Sequence, residues 1–141
     1  MDGVLIEGNT VTQAAAVGGC YGMSITAAYS SAEFFRNFVV RNNTFTNVGH
    51  CAVCASSAPG ALIEGNRVYN TQATGQVGML IPAIPPGPGD AADGGAIIRN
   101  NVVCHSQPAS GSEAVRAPST GAITGNIYQT GASATTGACA R

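Results

Sequence analysis

Hydrophobic and polar residues alternate in five short segments of the chain, and each segment carries an asparagine at the same place. The segments are VLIEGNTVT (4–12), FVVRNNTFT (38–46), ALIEGNRVY (61–69), AIIRNNVVC (96–104) and AITGNIY (122–128), aligned on Asn9, Asn43, Asn66, Asn101 and Asn126. Such alternation predicts strands whose successive side chains point to opposite faces. The asparagines are 34, 23, 35 and 25 residues apart, which indicates one repeated unit with loops of variable length.

One face of the strand before the asparagine is apolar in every copy, and it predicts the core. Another apolar residue follows each asparagine, so the chain turns at Gly-Asn or Asn-Asn and enters a second strand. Glycine and asparagine tolerate the left-handed backbone of such a turn. Asparagines stacked at the spacing of neighbouring strands can hydrogen-bond to one another, so we expect an asparagine ladder.

A third strand of the unit is predicted in GMSIT (22–26), HCAVC (50–54), GMLIP (78–82) and EAVRA (113–117). Three short strands per unit predict an all-β, single-stranded solenoid of about four to five coils, forming one domain over residues 1–141. A β-sandwich is the main alternative, but a sandwich would not repeat the same side-chain string at corresponding positions.

The repeated string is an aliphatic residue, any residue, Gly or Asn, Asn, any residue and an aliphatic residue. It resembles the PbH1-type repeat of the right-handed parallel β-helix (pectate-lyase-like) superfamily over nearly the whole chain. The resemblance implies a right-handed parallel β-helix in an extracellular, cell-surface or virion-surface protein. It also implies binding or processing of polysaccharide, and an enzyme of this kind would be a polysaccharide lyase or glycoside hydrolase. The alternative is a non-catalytic structural module, such as a tailspike shaft or surface adhesin.

A column of charged residues with alternating sign is predicted on the outer face of the first strand. It runs through Glu7, Arg41, Glu64 and Arg99. In a functional interpretation, Arg41, Glu64 and Arg99 bind an acidic sugar in a groove. In a structural interpretation, which we favour, the column is a salt-bridge ladder in which each pair contributes about 0.2–1 kcal/mol.

Asp90 and Asp93 lie in the Pro- and Gly-rich insertion IPAIPPGPGDAADGG (81–95) and are the remaining substrate-binding candidates. Their oxygens suit a calcium ion or sugar hydroxyl groups, although loop carboxylates are more often solvated. The outward positions of the third strand offer no pair of carboxylates, which glycoside hydrolysis would need. The sequence therefore identifies no catalytic residue and leaves open whether the chain is an enzyme, and we predict no cofactor other than a calcium ion at these two carboxylates.

The five cysteines form an odd set, which leaves at least one thiol unpaired within the chain. Cys51 and Cys54 are predicted on opposite faces of a strand, with Cys51 in the core and Cys54 exposed, so a zinc site is not expected. We expect His50 and His105 to be surface residues.

A second outward column of the first strand is apolar and contains Leu5, Val39, Leu62, Ile97 and Ala122. Exposed apolar stripes are normally covered. We expect either the insertions at 27–37 and 82–95 to cover it or a second chain of a homo-oligomer to do so.

The amino-acid composition argues against nucleic acid and membrane as partners of the chain. The chain has no lysine and six scattered arginines, so nucleic acid is not expected. No apolar run approaches the length of a membrane span, and no signal peptide is visible at the start. The chain opens directly into strand sequence, and residues 135–141 look like one more partial strand. We therefore expect a segment of a larger β-helix protein, flanked by further coils.

Overall fold

Fourteen short strands and two 3₁₀ helices make up the described part of the chain. The structure is a computed structural model, and it describes residues 1–15, 18–26, 32, 34–117 and 121–141. All strand pairs are parallel, and neighbours within a sheet are three apart in chain order. This all-β arrangement is consistent with a parallel β-solenoid.

The strands form three sheets, each of which takes one strand from every repeat. The first sheet contains β1 (Leu5–Glu7), β4 (Val39–Arg41), β7 (Leu62–Glu64), β10 (Ile97–Arg99) and β13 (Ala122–Thr124). The second contains β2 (Thr10–Thr12), β5 (Thr44–Thr46), β8 (Arg67–Asn70), β11 (Val102–His105) and β14 (Ile127–Thr130). The third contains β3 (Met23–Ile25), β6 (Cys51–Ala55), β9 (Val77–Leu80) and β12 (Glu113–Arg116).

The predicted apolar face forms the core. Side chains from all three sheets meet in one buried cluster, with equivalent residues of successive repeats in register. Its largest fully buried members include Phe38, Ile63 and Ile98 from the repeated strings and Met79 from the third sheet. At the two ends of the stack the same columns are less covered, and Ile123 is exposed.

The residue before each ladder asparagine adopts the left-handed conformation that the sequence predicted. These residues are Gly8, Asn42, Gly65, Asn100 and Gly125, with φ between +55° and +67°. Glycine and asparagine alternate along this column because each asparagine side chain occupies the space above the next glycine. A Cβ on Gly65 would lie 2.6 Å from Oδ1 of Asn42.

The asparagine ladder is present and continuous. Oδ1 of Asn66 accepts hydrogen bonds from the backbone N–H and Nδ2 of Asn43, at 3.1 and 3.0 Å. Its own Nδ2 donates to Oδ1 of Asn101 and to the Val40 carbonyl oxygen, both at 3.0 Å. Nδ2–Oδ1 hydrogen bonds also join Asn9 to Asn43 and Asn101 to Asn126. The interior asparagines are therefore buried with their hydrogen-bonding groups paired.

The strands of the third sheet bend, which the alternation pattern did not predict. Ala52 and Val53 are consecutive and both belong to the core, whereas Cys51 and Cys54 belong to a separate cluster with Val77. The same column holds a glycine in the repeats on either side, at positions 22 and 78. A Cβ on Gly78 would lie 2.5 Å from the Ala114 oxygen, so a small residue is required here.

The C-terminal segment is not a strand, so that prediction was wrong. Gly131–Thr135 and Gly137–Cys139 are 3₁₀ helices that pack against β11. Ala134 and Cys139 bury Tyr69 and Cys104 on the outer side of the second sheet. Turns that begin at Gly131 and Gly137, both with positive φ, interrupt the extended backbone.

Candidate functional site

The charged column lies on the outer face of the first sheet, where the register places Glu7, Arg41, Glu64 and Arg99 on successive strands. Arg41 Nε and Nη2 donate to the two carboxylate oxygens of Glu7, at 2.8 and 3.2 Å. Arg99 Nε donates to Glu64 Oε2 at 2.8 Å. The column thus consists of two separate ion pairs, which confirms the pairing of the structural interpretation but not a continuous ladder, because no ion pair joins the described residues Arg41 and Glu64.

The ion pair between Glu7 and Arg41 changes the acidity of both groups. The hydrogen bond from Arg41, assisted by its charge, lowers the pKa of the Glu7 carboxyl below its ordinary value. The same contact with Glu7 raises the pKa of Arg41. Both side chains are accessible to solvent, so this interaction is screened by water and salt.

The apolar column runs beside the charged column on the same outer face. Leu5 and Ile97 are 54% and 39% exposed, while Val39, Leu62 and Ala122 are partly exposed. The predicted cover by the first insertion falls mainly on residues 27–31 and 33, which lie outside the described residues. The described contacts of the second insertion lie elsewhere, with the connection between β6 and β7, with the outer side of the third sheet and with Ala32.

Asp93 holds the second insertion in place. Its Oδ2 and Oδ1 accept the backbone N–H groups of Ser57 and Ala58, both at 3.0 Å. The Asp93 side chain is buried, and Ser57 takes a positive φ of 55° in the turn that presents these two donors. Asp90 Oδ2 accepts the backbone N–H of Gly87 at 2.8 Å within the insertion itself.

The predicted site residues therefore separate into two groups. Arg41, Glu64 and Arg99 share one column of the first sheet, whereas Asp93 is anchored at the turn that leads from the third sheet to the first. Both Asp93 oxygens already accept hydrogen bonds from the chain, which leaves this carboxylate poorly placed to recruit an ion or a sugar.

A small cleft on the outer side of the third sheet was missed by sequence reasoning. Its volume is about 120 Å³, and its lining consists of Tyr21, Ser24, Thr26, His50, Ala83 and Ile84. The Tyr21 ring is 47% exposed and meets His50 edge to face, with ring centroids 5.5 Å apart. An aromatic residue just before the third strand was the available signal. Exposed rings beside hydroxyl groups suit amphipathic ligands.

A larger cleft of about 270 Å³ lies between the second sheet and the C-terminal segment. It is lined by Asn70, Thr71, Ser106, Ala134, Thr135, Cys139 and Arg141. The Arg141 guanidinium lies 4.1 Å from the centroid of the Tyr69 ring. This cleft forms where the C-terminal segment folds back over the second sheet. The prediction of a strand over residues 135–141 therefore gave no indication of it.

The cysteines differ from their predicted positions. Cys51 and Cys54 are both buried on the outer side of the third sheet with their sulfur atoms in direct contact. The bend between Ala52 and Val53 brings them to one side. Cys104 and Cys139 are disulfide-bonded, which fastens the C-terminal segment to β11. Cys20 is a half-buried free thiol.

His105 is buried, so its prediction as a surface residue was wrong. Its Nε2 and Gln76 Oε1 are 2.6 Å apart, and its Nδ1 lies 3.3 Å from the Tyr128 hydroxyl. Gln76 Nε2 in turn donates to the Val48 carbonyl oxygen. Burial lowers the pKa of His105 to about 4, so the imidazole is neutral at pH 7. His50, in contrast, is exposed as expected.

The described residues contain no group of three or more His, Cys, Asp or Glu side chains that would hold a metal ion. None of their helices is long and apolar enough to cross a bilayer.

Comparisons with protein-family models, with curated proteins and with solved structures found no match.

Proposed function

We propose that the chain is a non-catalytic structural segment of an extracellular, right-handed parallel β-helix protein, similar to the shafts and adhesins of the pectate-lyase-like superfamily. In this proposal it forms four coils and the first two strands of a fifth. The parallel pairing of strands three apart in the chain supports a solenoid of this kind. Crossovers between parallel strands are right-handed in almost all proteins, which supports the handedness.

The observation that carries the proposal is the engagement of the charged side chains within the chain itself. Arg41 and Arg99 are paired with glutamates of neighbouring strands. Asp93 accepts two backbone N–H groups and fixes an insertion. Charges used in this way stabilise register and loop position, whereas a hydrolase needs two carboxylates facing a common substrate.

The cysteines support an extracellular or surface location. The bond between Cys104 and Cys139 joins strand β11 to the C-terminal segment. Such bonds form and persist mainly in oxidising compartments. A thiol titration of the purified chain, before and after reduction, tests whether this disulfide is present.

A cleavage screen tests the structural role directly. The chain is incubated with neutral and acidic polysaccharides, and both new reducing ends and the absorbance of unsaturated products are followed. We expect no turnover, with or without added calcium, because the charged candidates are already paired. Turnover that disappears in Arg41→Ala or Arg99→Ala would contradict the proposal.

Polysaccharide binding is the second candidate, and the cleft around Tyr21 favours it. An exposed aromatic ring beside the Ser24 and Thr26 hydroxyls offers both a stacking surface and hydrogen bonds. A glycan array with the wild type, Tyr21→Ala and Arg99→Ala separates this cleft from the charged column. Phe34→Ala is the matched control, because Phe34 is another exposed aromatic residue. Loss of binding only in Tyr21→Ala would establish sugar recognition at the cleft.

A further inference from the structure

The charges on the outer face of the first sheet alternate in sign, and this order determines how two copies of the chain can pack together. Its charged column reads Glu7, Arg41, Glu64, Arg99 along the stack, one residue per strand. When this order is reversed, every glutamate is replaced by an arginine and every arginine by a glutamate. The column is therefore complementary to its own reverse.

The apolar column on the same face carries no charge, but it provides hydrophobic surface that an interface would bury. Leu5, Val39, Leu62 and Ile97 occupy the same four strands as the four charges, two residues earlier on each strand. Leu5 and Ile97 are the most exposed of them. Stripes of this type on soluble proteins are commonly interaction surfaces.

We propose that this face is a docking surface for a second copy of the chain, arranged with a two-fold axis parallel to the strands of the first sheet. This axis lies in the plane between the two faces, so it keeps the strand direction and reverses the stack direction. Each apolar column then meets the partner's apolar column, and each charged column meets the reversed charged column. An interface of this type is isologous, as in most homodimers.

The facing residues follow from this symmetry. Glu7 faces the partner's Arg99, and Arg41 faces the partner's Glu64. The Glu7–Arg41 ion pair of one copy therefore lies opposite the Glu64–Arg99 ion pair of the other, with opposite charges facing each other. The two-fold axis repeats this contact with the two copies exchanged. Both columns have the spacing of adjacent strands, about 4.8 Å, so the match persists over four strands.

A copy that keeps the same stack direction does not fit this face. Its charged column would place Glu7 opposite the partner's Glu7 and Arg41 opposite the partner's Arg41. Like charges across an interface oppose association. The sign pattern therefore selects the antiparallel arrangement over a parallel pair, and it does so independently of the proposed structural role.

The decisive test uses a variant with the whole column inverted, Glu7→Arg, Arg41→Glu, Glu64→Arg and Arg99→Glu. This variant preserves both ion pairs within the chain and remains complementary to its own reverse. It is mixed with the wild type after mass labelling, and native mass spectrometry measures the three kinds of dimer.

We expect two kinds of homodimer with heterodimers well below the statistical half, because wild-type and inverted columns in the antiparallel arrangement place like charges opposite each other. Enrichment of heterodimers would overturn the proposal in favour of a parallel arrangement. A statistical mixture would show that the charged column is not in the interface, and it would also overturn the proposal.

A second set of variants tests the same interface if the inverted column impairs folding. Leu5→Gln and Ile97→Gln change exposed side chains that face each other across the proposed interface. Ile84→Gln is the matched control, since Ile84 is equally exposed but lies on the second insertion. Sedimentation velocity over a dilution series should give dimer dissociation constants weakened about tenfold or more for the first two variants. A wild type that is monomeric throughout, or equal weakening in the control, would refute the proposal.

Discussion

Replacing Asn66 with alanine removes the central amide of the asparagine ladder and tests how much that ladder stabilises the fold. The Asn66 side chain takes part in four hydrogen bonds of 3.0–3.1 Å and is fully buried. Alanine leaves the backbone N–H of Asn43 without its acceptor, whereas Asn43 Nδ2 keeps the carbonyl oxygens of Ile6 and Arg41. It also removes a donor from the Val40 carbonyl oxygen.

The magnitude follows from these orphaned groups. A buried donor or acceptor without a partner costs about 1–3 kcal/mol, and part of this cost is recovered if water enters the space. One orphaned donor, together with the other hydrogen bonds that are lost, therefore gives an expected loss of about 2–3 kcal/mol in the free energy of unfolding. For a chain of 141 residues this corresponds to a decrease in Tm of about 4–12 °C.

The matched control is Asn9→Ala, which removes the same side chain from the exposed end of the ladder. Asn9 Nδ2 donates to Asn43 Oδ1, but this oxygen keeps a second donor in the Asn9 backbone N–H. We expect this variant to lose less than about 1 kcal/mol. Urea unfolding followed by far-UV circular dichroism measures both variants.

Equal losses of stability in the two variants, or a smaller loss in Asn66→Ala than in Asn9→Ala, would refute the stabilising role of the buried ladder amides. Amide hydrogen exchange provides a second readout, because solenoids can open locally instead of unfolding in one step. Exchange in Asn66→Ala should increase most in the strands around β5 and β8.

Three further predictions concern other parts of the fold. Gly78→Ala should destabilise the chain by about 2 kcal/mol in urea unfolding, because its Cβ would approach the Ala114 oxygen to 2.5 Å. Between pH 6.5 and about 4 the unfolded imidazole of His105 binds a proton that the folded one does not, so stability falls as pH falls. His105→Gln should remove up to about 3 kcal/mol of this decrease. Cys139→Ser should lower stability by about 3 kcal/mol in oxidising buffer, because the disulfide closes a separation of 35 residues.

Each of these predictions has a result that would contradict it. Gly94→Ala adds a Cβ in open space, so an equal effect of the two glycine variants would contradict the steric argument. For the histidine, an unchanged pH profile in His105→Gln would disprove the role of its burial. Reducing agent should destabilise the wild type more than Cys139→Ser, and equal sensitivity of both would refute the role of this disulfide.

The repeat made most of the strand pairing predictable. The aligned asparagines assign one residue of each repeat to a common column, and alternation then assigns the neighbours of that residue to the core or the surface. The register of Ile63 with Ile98 and of Glu64 with Arg99 follows from this alignment alone. Ladder geometry was predictable because only stacked copies bring amides to hydrogen-bonding distance.

The bend in the third sheet was not predictable from alternation, since a corner places two consecutive residues on the same side. Cys51 was therefore assigned to the wrong side of its strand, although the small residues at positions 22, 52, 78 and 114 were a usable signal. His105 was misjudged because its partner, Gln76, comes from a different repeat. Asp93 was taken for a free carboxylate because its two donors, Ser57 and Ala58, lie 36 and 35 residues away.

The asparagine ladder also bears on how a protein of this kind can change its length. Each interior amide receives from the repeat before it and donates to the repeat after it, so every repeat presents the same pair of complementary faces. A repeat that is deleted or duplicated leaves ladder asparagines that still match, but it brings two residues of one kind together in the preceding column, where glycine and asparagine alternate. The unequal intervals between asparagines, from 23 to 35 residues, are absorbed in the connections outside the strands. The unit that can be added or removed without a steric clash is therefore a pair of repeats, which gene duplication can supply.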